Sequence, residues 1–490
     1  MKFSVFVLVL LMFVFGVRGR KNKTVALRDN VKLGYFSQKL DHFNKTDDRV
    51  FNQFYWVNDK YRAKGGPAFL YLEGEGDAEE DNVDTASGWQ FTQWGMKYKA
   101  IMFQLEHRYF GHSKPFNDYS TANMRWLNSK QAIEDIAKFI KLMNRYYNLD
   151  EPKWIVFGGS YAGSLTAWVR QEHPELVLGS ISSSGSLLAK VNDVDYVRVV
   201  NESFWSYSPE CVVQIDKAFR GVEGMLINEQ GRRDLKSKFN LCTDLPENIS
   251  EKDMGQLFLT LKDIFEGIAQ YGGDNRGKFA ENETIPRACE VMEDKVNLPD
   301  PVDRLALLSN RTDTYRNRSS NCLEFRYSAE LNKLRITDPY SKQNMEDRGW
   351  AYLCCAEMGW FQTTDHPAQP FGNHTPIQWY LDQCSDVFGP SMSYKNLARA
   401  VQITNKYHGG KRNFKGTNVV LVNGSQDPCY PLGIYEQTPN LRATVVFMKD
   451  AAHCADMYPS TDHDLPSVVA ARSTIQEHIE RWLSDSSIRI

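Results

Sequence analysis

Apolar and polar positions alternate between two periods from residue 67 to residue 190. PAFLYL (67–72) is a short apolar run closed by the glycine–acid turn EGEGD, and KAIMFQL (99–105) is a second run. Over 130–147, Ile133, Ile136, Ala137, Ile140 and Met143 fall at i, i+3, i+4 spacing, which predicts an amphipathic helix. WIVFG (154–158) predicts a third strand, SLTAWVRQEH the helix after it, and LVLGSISSS a fourth strand. Repeated β-α-β order predicts a parallel sheet covered by helices on both faces.

That rhythm stops near residue 190. Helical stretches and charged segments follow to about residue 400, and strand patterns resume at NVVLV (418–422) and ATVVFM (443–448). A helix over 467–483 closes the chain, with Val468, Ala471, Ile475, Ile479 and Trp482 on one face. The economical reading is an α/β domain (20–190 and 401–490) interrupted by a mainly helical insertion (191–400). Two consecutive domains would leave the last two strands without a sheet.

The N-terminus sets the compartment. Lys2 precedes an apolar run over 3–17 and the small residues Val17 and Gly19, the form of a secretory signal over 1–19 and shorter than the ~20 residues of a membrane span. The alternative, an uncleaved anchor, draws on Arg18, Arg20, Lys21 and Lys23 at its far flank. No later stretch is apolar enough to span a bilayer, so no membrane span is expected after signal cleavage. Asn-X-Ser/Thr sequons at Asn22, Asn44, Asn201, Asn248, Asn282, Asn310, Asn317, Asn373 and Asn423 agree with export as glycosylation candidates. All nine cysteines lie from Cys211 onward, where an oxidising compartment would pair most of them and leave at least one over. A net charge of −3 gives no basic footprint for nucleic acid. No Cys-x-x-Cys pair or histidine-rich tract has metal spacing, so neither a metal nor a cofactor is expected.

The chemistry is sought around VFGGSYAG (156–163). A serine on a strand-to-helix turn stands at the carboxyl edge of a sheet, facing a helix N-terminus and the next backbone N–H. The turn is so tight that positions two before and two after the serine must be small, and Gly158 and Ala162 satisfy this around Ser160. An α/β-hydrolase also needs an acid and then a histidine, each just past a later strand. NGSQDP places Asp427 after 418–422, and KDAAHCADM places His453 after 443–448. His463 and His478 do not follow a strand so closely. Ser160 is therefore expected as nucleophile, His453 as general base and Asp427 as its partner. The oxyanion donors would be the N–H of Tyr161 and one from the 74–76 turn, with Glu75 at its centre. Glu75 and Asp77 are also placed to meet a substrate's ammonium group.

GGSYAG, NGSQDP, AAHCADMYP, EGEGD, FQLEHRYFG (103–111), LNSKQAIEDI (127–136) and CAEMGWFQTT (355–364) together resemble the lysosomal Pro-Xaa carboxypeptidase family of serine peptidases, closest to its thymus-specific branch. The likeness spans about residues 30–485. It implies an α/β-hydrolase fold with an inserted helical cap domain. The implied activity is that of an exopeptidase cutting after proline, secreted or lysosomal, with a peptide substrate and the same Ser160, Asp427, His453 set. The cap would restrict access to chain ends. Two departures touch specificity. The family commonly has an aromatic where this chain has Cys429, and its asparagine-bearing acidic turn reads LEGEGD here. Cys429 either pairs with Cys454 or is the odd thiol. Removal of a C-terminal residue needs a cation for the carboxylate, whereas removal of an N-terminal dipeptide needs an acid for the amine; Glu75 and Asp77 favour the second. A secreted lipase or carboxylesterase would want an HGGG-type loop, which is absent. A non-catalytic binding ectodomain is the remaining alternative, and a homodimer stays open.

Overall fold

Three central strands are buried on both faces, and their residues divide alternately between two cores. In the computed structural model, β3 (Ala68–Leu72), β4 (Ile101–Leu105) and β5 (Trp154–Gly159) send Leu70, Leu72, Phe103, Trp154 and Val156 to one side and Phe69, Tyr71, Met102, Ile155 and Phe157 to the other. The first side is covered by Ile133, Ile136 and Ile140 of the helix Ser129–Tyr146. The second is covered by Phe91 and Trp94 of Gln90–Lys97 and by Val468, Ala471, Ile475, Ile479 and Trp482 of Pro466–Ser484. Each such buried apolar side chain contributes about 1.5–3 kcal/mol. Double coverage is why these strands read as continuous apolar runs.

The structure describes residues 31–150, 152–273, 278–315, 322–341 and 345–485. The signal segment, Asn22 and Asn317 lie outside them. With β1 (Val31–Lys39), β2 (Val50–Asn58), β6 (Gly179–Ser183), β9 (Val419–Gly424) and β10 (Thr444–Met448), the sheet has eight strands in the order β1-β2-β4-β3-β5-β6-β9-β10. From β4 to β10 all pairings are parallel; β1 and β2 extend the sheet antiparallel. This is the α/β-hydrolase architecture. β6 and β9 are neighbours although 235 residues of chain separate Ser183 from Val419.

That intervening chain is mainly helical. It contains a two-stranded sheet of β7 (Lys190–Asn192) with β8 (Gly359–Phe361), and residues between Tyr196 and Phe325, joined by Phe371 and Cys429, build a third core. Disulfides Cys211–Cys289 and Cys242–Cys322 close that part, while Cys355–Cys384 lies in the later part, where Trp350, Trp360 and Trp379 pack into the sheet's first core. Cys354, Cys429 and Cys454 are free and buried. The alternative of a Cys429–Cys454 bridge is thereby replaced by two separate thiols. No helix among the described residues is long and apolar enough to cross a membrane.

One sequon is corrected. Asn423 lies in β9, 2% exposed, with its Nδ2 donating to the Ile434 carbonyl at 3.1 Å. A glycan cannot be carried at that position in the folded chain. Asn44, Asn248, Asn310 and Asn373 are exposed, and Asn201 and Asn282 are half-buried.

Candidate active site

The helix Ser160–Glu172 begins at the carboxyl end of β5, and Ser160 sits at the junction with φ +60°, a conformation that costs a non-glycine residue about 1–3 kcal/mol. Close packing holds it there. A Cβ added at Gly158 would come 2.8 Å from the Ala162 carbonyl, and one at Gly163 would come 2.6 Å from the Ser183 carbonyl. Gly163, one position beyond Ala162, is thus held to a small residue as well. Ala162 itself is buried with its methyl accommodated. The N-cap, Gly159, supplies no side-chain cap, so the first-turn N–H groups face outward as donors.

Tyr161, whose N–H is the nearest such donor, buries its ring completely. Its hydroxyl donates to His107 Nε2 at 3.2 Å, and its ring lies against Trp350 and Trp360. His107 Nδ1 in turn donates to the Arg108 carbonyl at 2.7 Å, which leaves Nε2 as the acceptor. Burial pushes the His107 imidazole down to about 4, so it stays neutral and keeps that role.

Asp427 and His453 come from the loops after β9 and β10. His453 Nδ1 lies 2.9 Å from Asp427 Oδ1, with Asp427 fully buried and His453 3% exposed. The approach is close but oblique, since His453 Nδ1, His453 Nε2 and Asp427 Oδ2 are all buried without a well-aligned hydrogen bond. Burial disfavours charge on His453, yet the Asp427 carboxylate outweighs it and holds the imidazole well above the ordinary histidine range. The loops are pressed together at Gly424, where a Cβ would meet the Ala451 carbonyl at 2.3 Å. Ser425 N–H donates to the Met448 carbonyl and Gln426 N–H to that of Ala451.

The chain neighbours of Ser160 pack against those of His453. A Cβ at Gly159 would lie 2.8 Å from Cys454 Sγ and 2.7 Å from Met457 Sδ. Cys454 N–H donates to Ser184 Oγ at 2.9 Å, and Ser183 Oγ donates to Asp456 Oδ2 at 2.6 Å, fastening the histidine loop to the end of β6. The turn after β3 reaches the same place, because a Cβ at Gly74 would lie 3.6 Å from the Ala162 nitrogen. Glu75 is half-exposed, but its Oε1 is buried without a hydrogen bond. Burial pushes its carboxyl up to about 7, against the pull of its own backbone N–H and of His453. Asp77 is exposed at the rim.

Two groups absent from the sequence expectations belong here. The helix Glu251–Tyr271 of the insertion ends on the histidine loop. The Gln270 carbonyl accepts His453 N–H at 2.9 Å, and the Tyr271 ring meets the imidazole edge-on at 5.9 Å. Glu346, beside Asp77, Asp347, Glu75 and Glu73, has its carboxyl raised by burial and by those acids. Neither carries a local sequence signal, since both arrive from parts of the insertion distant in the chain from Ser160 and His453.

The remaining motifs prove to be scaffolding. Arg108 forks onto Asp135 with two bonds of 2.6 Å and donates to the Leu40 and Trp126 carbonyls. Glu106 accepts from Ala78 and His112 N–H and from Ser113 Oγ, tying the acidic turn to β4. Glu357 accepts from Ser129 N–H at 2.9 Å and from its Oγ at 2.5 Å, joining CAEMGWFQTT to LNSKQAIEDI.

The sequence pattern of the family described as Serine carboxypeptidase S28 matches residues 38–475. The chain belongs to this family. A Caenorhabditis elegans protein with a provisional serine-protease name is 34% identical over 93% of this chain and 89% of its own. The human thymus-specific serine protease is 31% identical over 92% and 87%, and human lysosomal Pro-X carboxypeptidase 28% over 94% and 90%. As an S28 member the chain is a serine peptidase with exopeptidase activity, and its substrate is a peptide.

Proposed function

We propose that Ser160, His453 and Asp427 form the catalytic triad and that the enzyme removes short units from the N-terminus of peptides, cutting after proline. The observation that carries the mechanism is Ser160 at φ +60° on the β5 elbow, with the buried His453–Asp427 pair delivered by the loops after β10 and β9. Ser160 Oγ attacks the scissile carbonyl while His453 takes its proton, and Asp427 stabilises the imidazolium. The Tyr161 N–H and a backbone N–H at Glu75 meet the developing oxyanion. His453 then returns the proton to the leaving amine. Water, activated by the same imidazole, releases the acyl group from Ser160.

The acidic wall supports N-terminal over C-terminal trimming. Glu75, Asp77 and Glu346 present acidic groups suited to an ammonium group, and of the lysines among the described residues Lys333 is paired with Asp347 and Lys114 donates to the Gly111 carbonyl. A second reading, carboxypeptidase action, is favoured by the family description and by the Pro-X carboxypeptidase relatives. The preference for proline comes from the same relatives, as does a lysosomal or secreted location.

The test is a mixed peptide library treated with wild type and Ser160→Ala at pH about 5 and about 7, with products read by mass spectrometry. Loss of N-terminal dipeptides ending in proline from wild type alone is expected. C-terminal trimming would transfer the assignment to the carboxypeptidase reading, and trimming away from proline would remove the pocket assignment. Equal activity in both proteins would remove Ser160.

A further inference from the structure

The residue after Asp427-Pro428 is a thiol, and it stands at the catalytic pair. Ligand atoms of Asp427, Cys429 and His453 all lie within 4.8 Å of one another. Cys429 N–H donates to Asp427 Oδ1 at 2.9 Å, which fixes the start of the loop, and Gln270 Nε2 approaches Cys429 Sγ at 3.9 Å from the insertion. Cys429 is 8% exposed and free of any disulfide.

This trio also has unused donor capacity. Asp427 Oδ2 and both imidazole nitrogens of His453 are buried and lack an aligned partner, on side chains more than nine-tenths buried. Buried polar atoms in that state carry a desolvation cost that a ligand would relieve. One sulfur, one nitrogen and one carboxylate oxygen make a set suited to zinc and to its spectroscopic substitute cobalt, with a fourth tetrahedral position left to water. Tetrahedral zinc places its ligand atoms about 3.5 Å apart, so closing the set from the observed spacing needs side-chain movements of about 1 Å. A divalent cation held by a carboxylate and a thiolate is charge-neutral, as a buried site requires. The long interval between Cys429 and His453 is why the spacing of the sequence shows no metal motif.

We propose that Asp427, Cys429 and His453 form an inhibitory site for a zinc-like divalent cation, whose occupancy withdraws His453 from proton transfer. On binding, the Cys429 thiol and the His453 imidazolium each give a proton to solvent, and the freed imidazole nitrogen donates its lone pair to the cation. No bond to carbon forms or breaks, and chelation of the metal reverses the step. The inhibition rests on the role proposed for His453; the binding does not.

The experiment titrates Co²⁺ into the intact metal-free protein and reads the visible and sulfur-to-cobalt charge-transfer absorption. Wild type and Ser160→Ala are expected to bind one equivalent, with a tetrahedral spectrum containing the thiolate band. Cys429→Ser should lose that band and bind about 100-fold more weakly, at the top of the range that outer-shell changes give. In wild type, peptidase activity should fall in step with Zn²⁺ occupancy and return on adding chelator. Absence of the thiolate band from wild type overturns the proposal whether or not the serine variant folds. So does equal affinity in a folded Cys429→Ser, or undiminished hydrolysis at saturating Zn²⁺. Because Ser160→Ala lacks the nucleophile yet keeps all three ligands, cobalt binding by this variant separates failure of the metal site from failure of the peptidase assignment.

Discussion

Single side chains set the rate here, and their expected effects can be ranked. Asp427→Asn removes the carboxylate that holds His453 above the ordinary histidine range. The general base must be neutral, so in wild type kcat/KM should fall as pH drops through that raised value. The variant's acidic limb should move to lower pH while kcat falls by about 10⁴-fold. A pH–rate profile reads both effects, and an unmoved limb would detach Asp427 from His453. Glu75→Gln should raise KM for peptides with a free N-terminus and leave N-acetylated peptides unaffected. Equal KM changes on both would remove Glu75 from amine recognition. Gly163→Ala drives a methyl toward the Ser183 carbonyl, where a Cβ would sit at 2.6 Å. It should cost about 1–3 kcal/mol of stability, read by denaturant unfolding. The sequence made Ser160, Asp427 and His453 legible because each follows a recognisable strand. It did not single out Gly163 as a further small position, since nothing local shows that the Ser183 carbonyl faces that residue.

At the level of elements, periodicity located the parallel strands and the helices that cover them. The helix expected over 130–147 spans Ser129–Tyr146, and the run at 443–448 is the strand Thr444–Met448. It did not announce β1 and β2, whose pattern misleads. Leu33 and Tyr35 are half-exposed, whereas Gln38 and Gln53 are buried and bonded to one another at 2.9 Å. Hydropathy alone therefore points the wrong residues inward on that sheet edge. The insertion is equally opaque, because its helices answer to partners distant in the chain. Gln270 reaches His453 across 183 residues. Cys211–Cys289 closes a separation of 78 residues within the core that bears this helix. Its loss in Cys211→Ser should cost about 2–5 kcal/mol, measured as a lower denaturant midpoint for the insertion. An unchanged midpoint would mean that the apolar core alone fixes that helix.

Across the whole molecule, burial has raised many carboxyls. Glu73 is pushed up to about 8, and Glu75, Glu106, Asp193 and Glu330 to about 7. Between the unfolded values near 4 and these folded values, the native chain binds more protons than the unfolded one. Stability is therefore greatest at the acidic end of that window and is lost as pH rises through 7 to 8. His107 and His408, pushed down to about 4 and about 3 by burial, act oppositely and remove stability as pH falls below about 6.5. Tm should accordingly peak in weakly acidic solution and stand roughly 5 °C higher at pH 6 than at pH 8; a Tm that rises toward pH 8 would contradict the balance. Stability and the base thus pull apart, since acid favours the fold while protonating His453. The proposed nucleophilic role of Ser160 underlies the expectations for catalysis. Its most direct test is labelling of the intact protein with a fluorophosphonate, followed by peptide mass mapping. One adduct on Ser160, absent from Ser160→Ala and slowed about 10⁴-fold in Asp427→Asn, is the predicted result. An adduct on another residue, or labelling that survives the serine substitution, would contradict it.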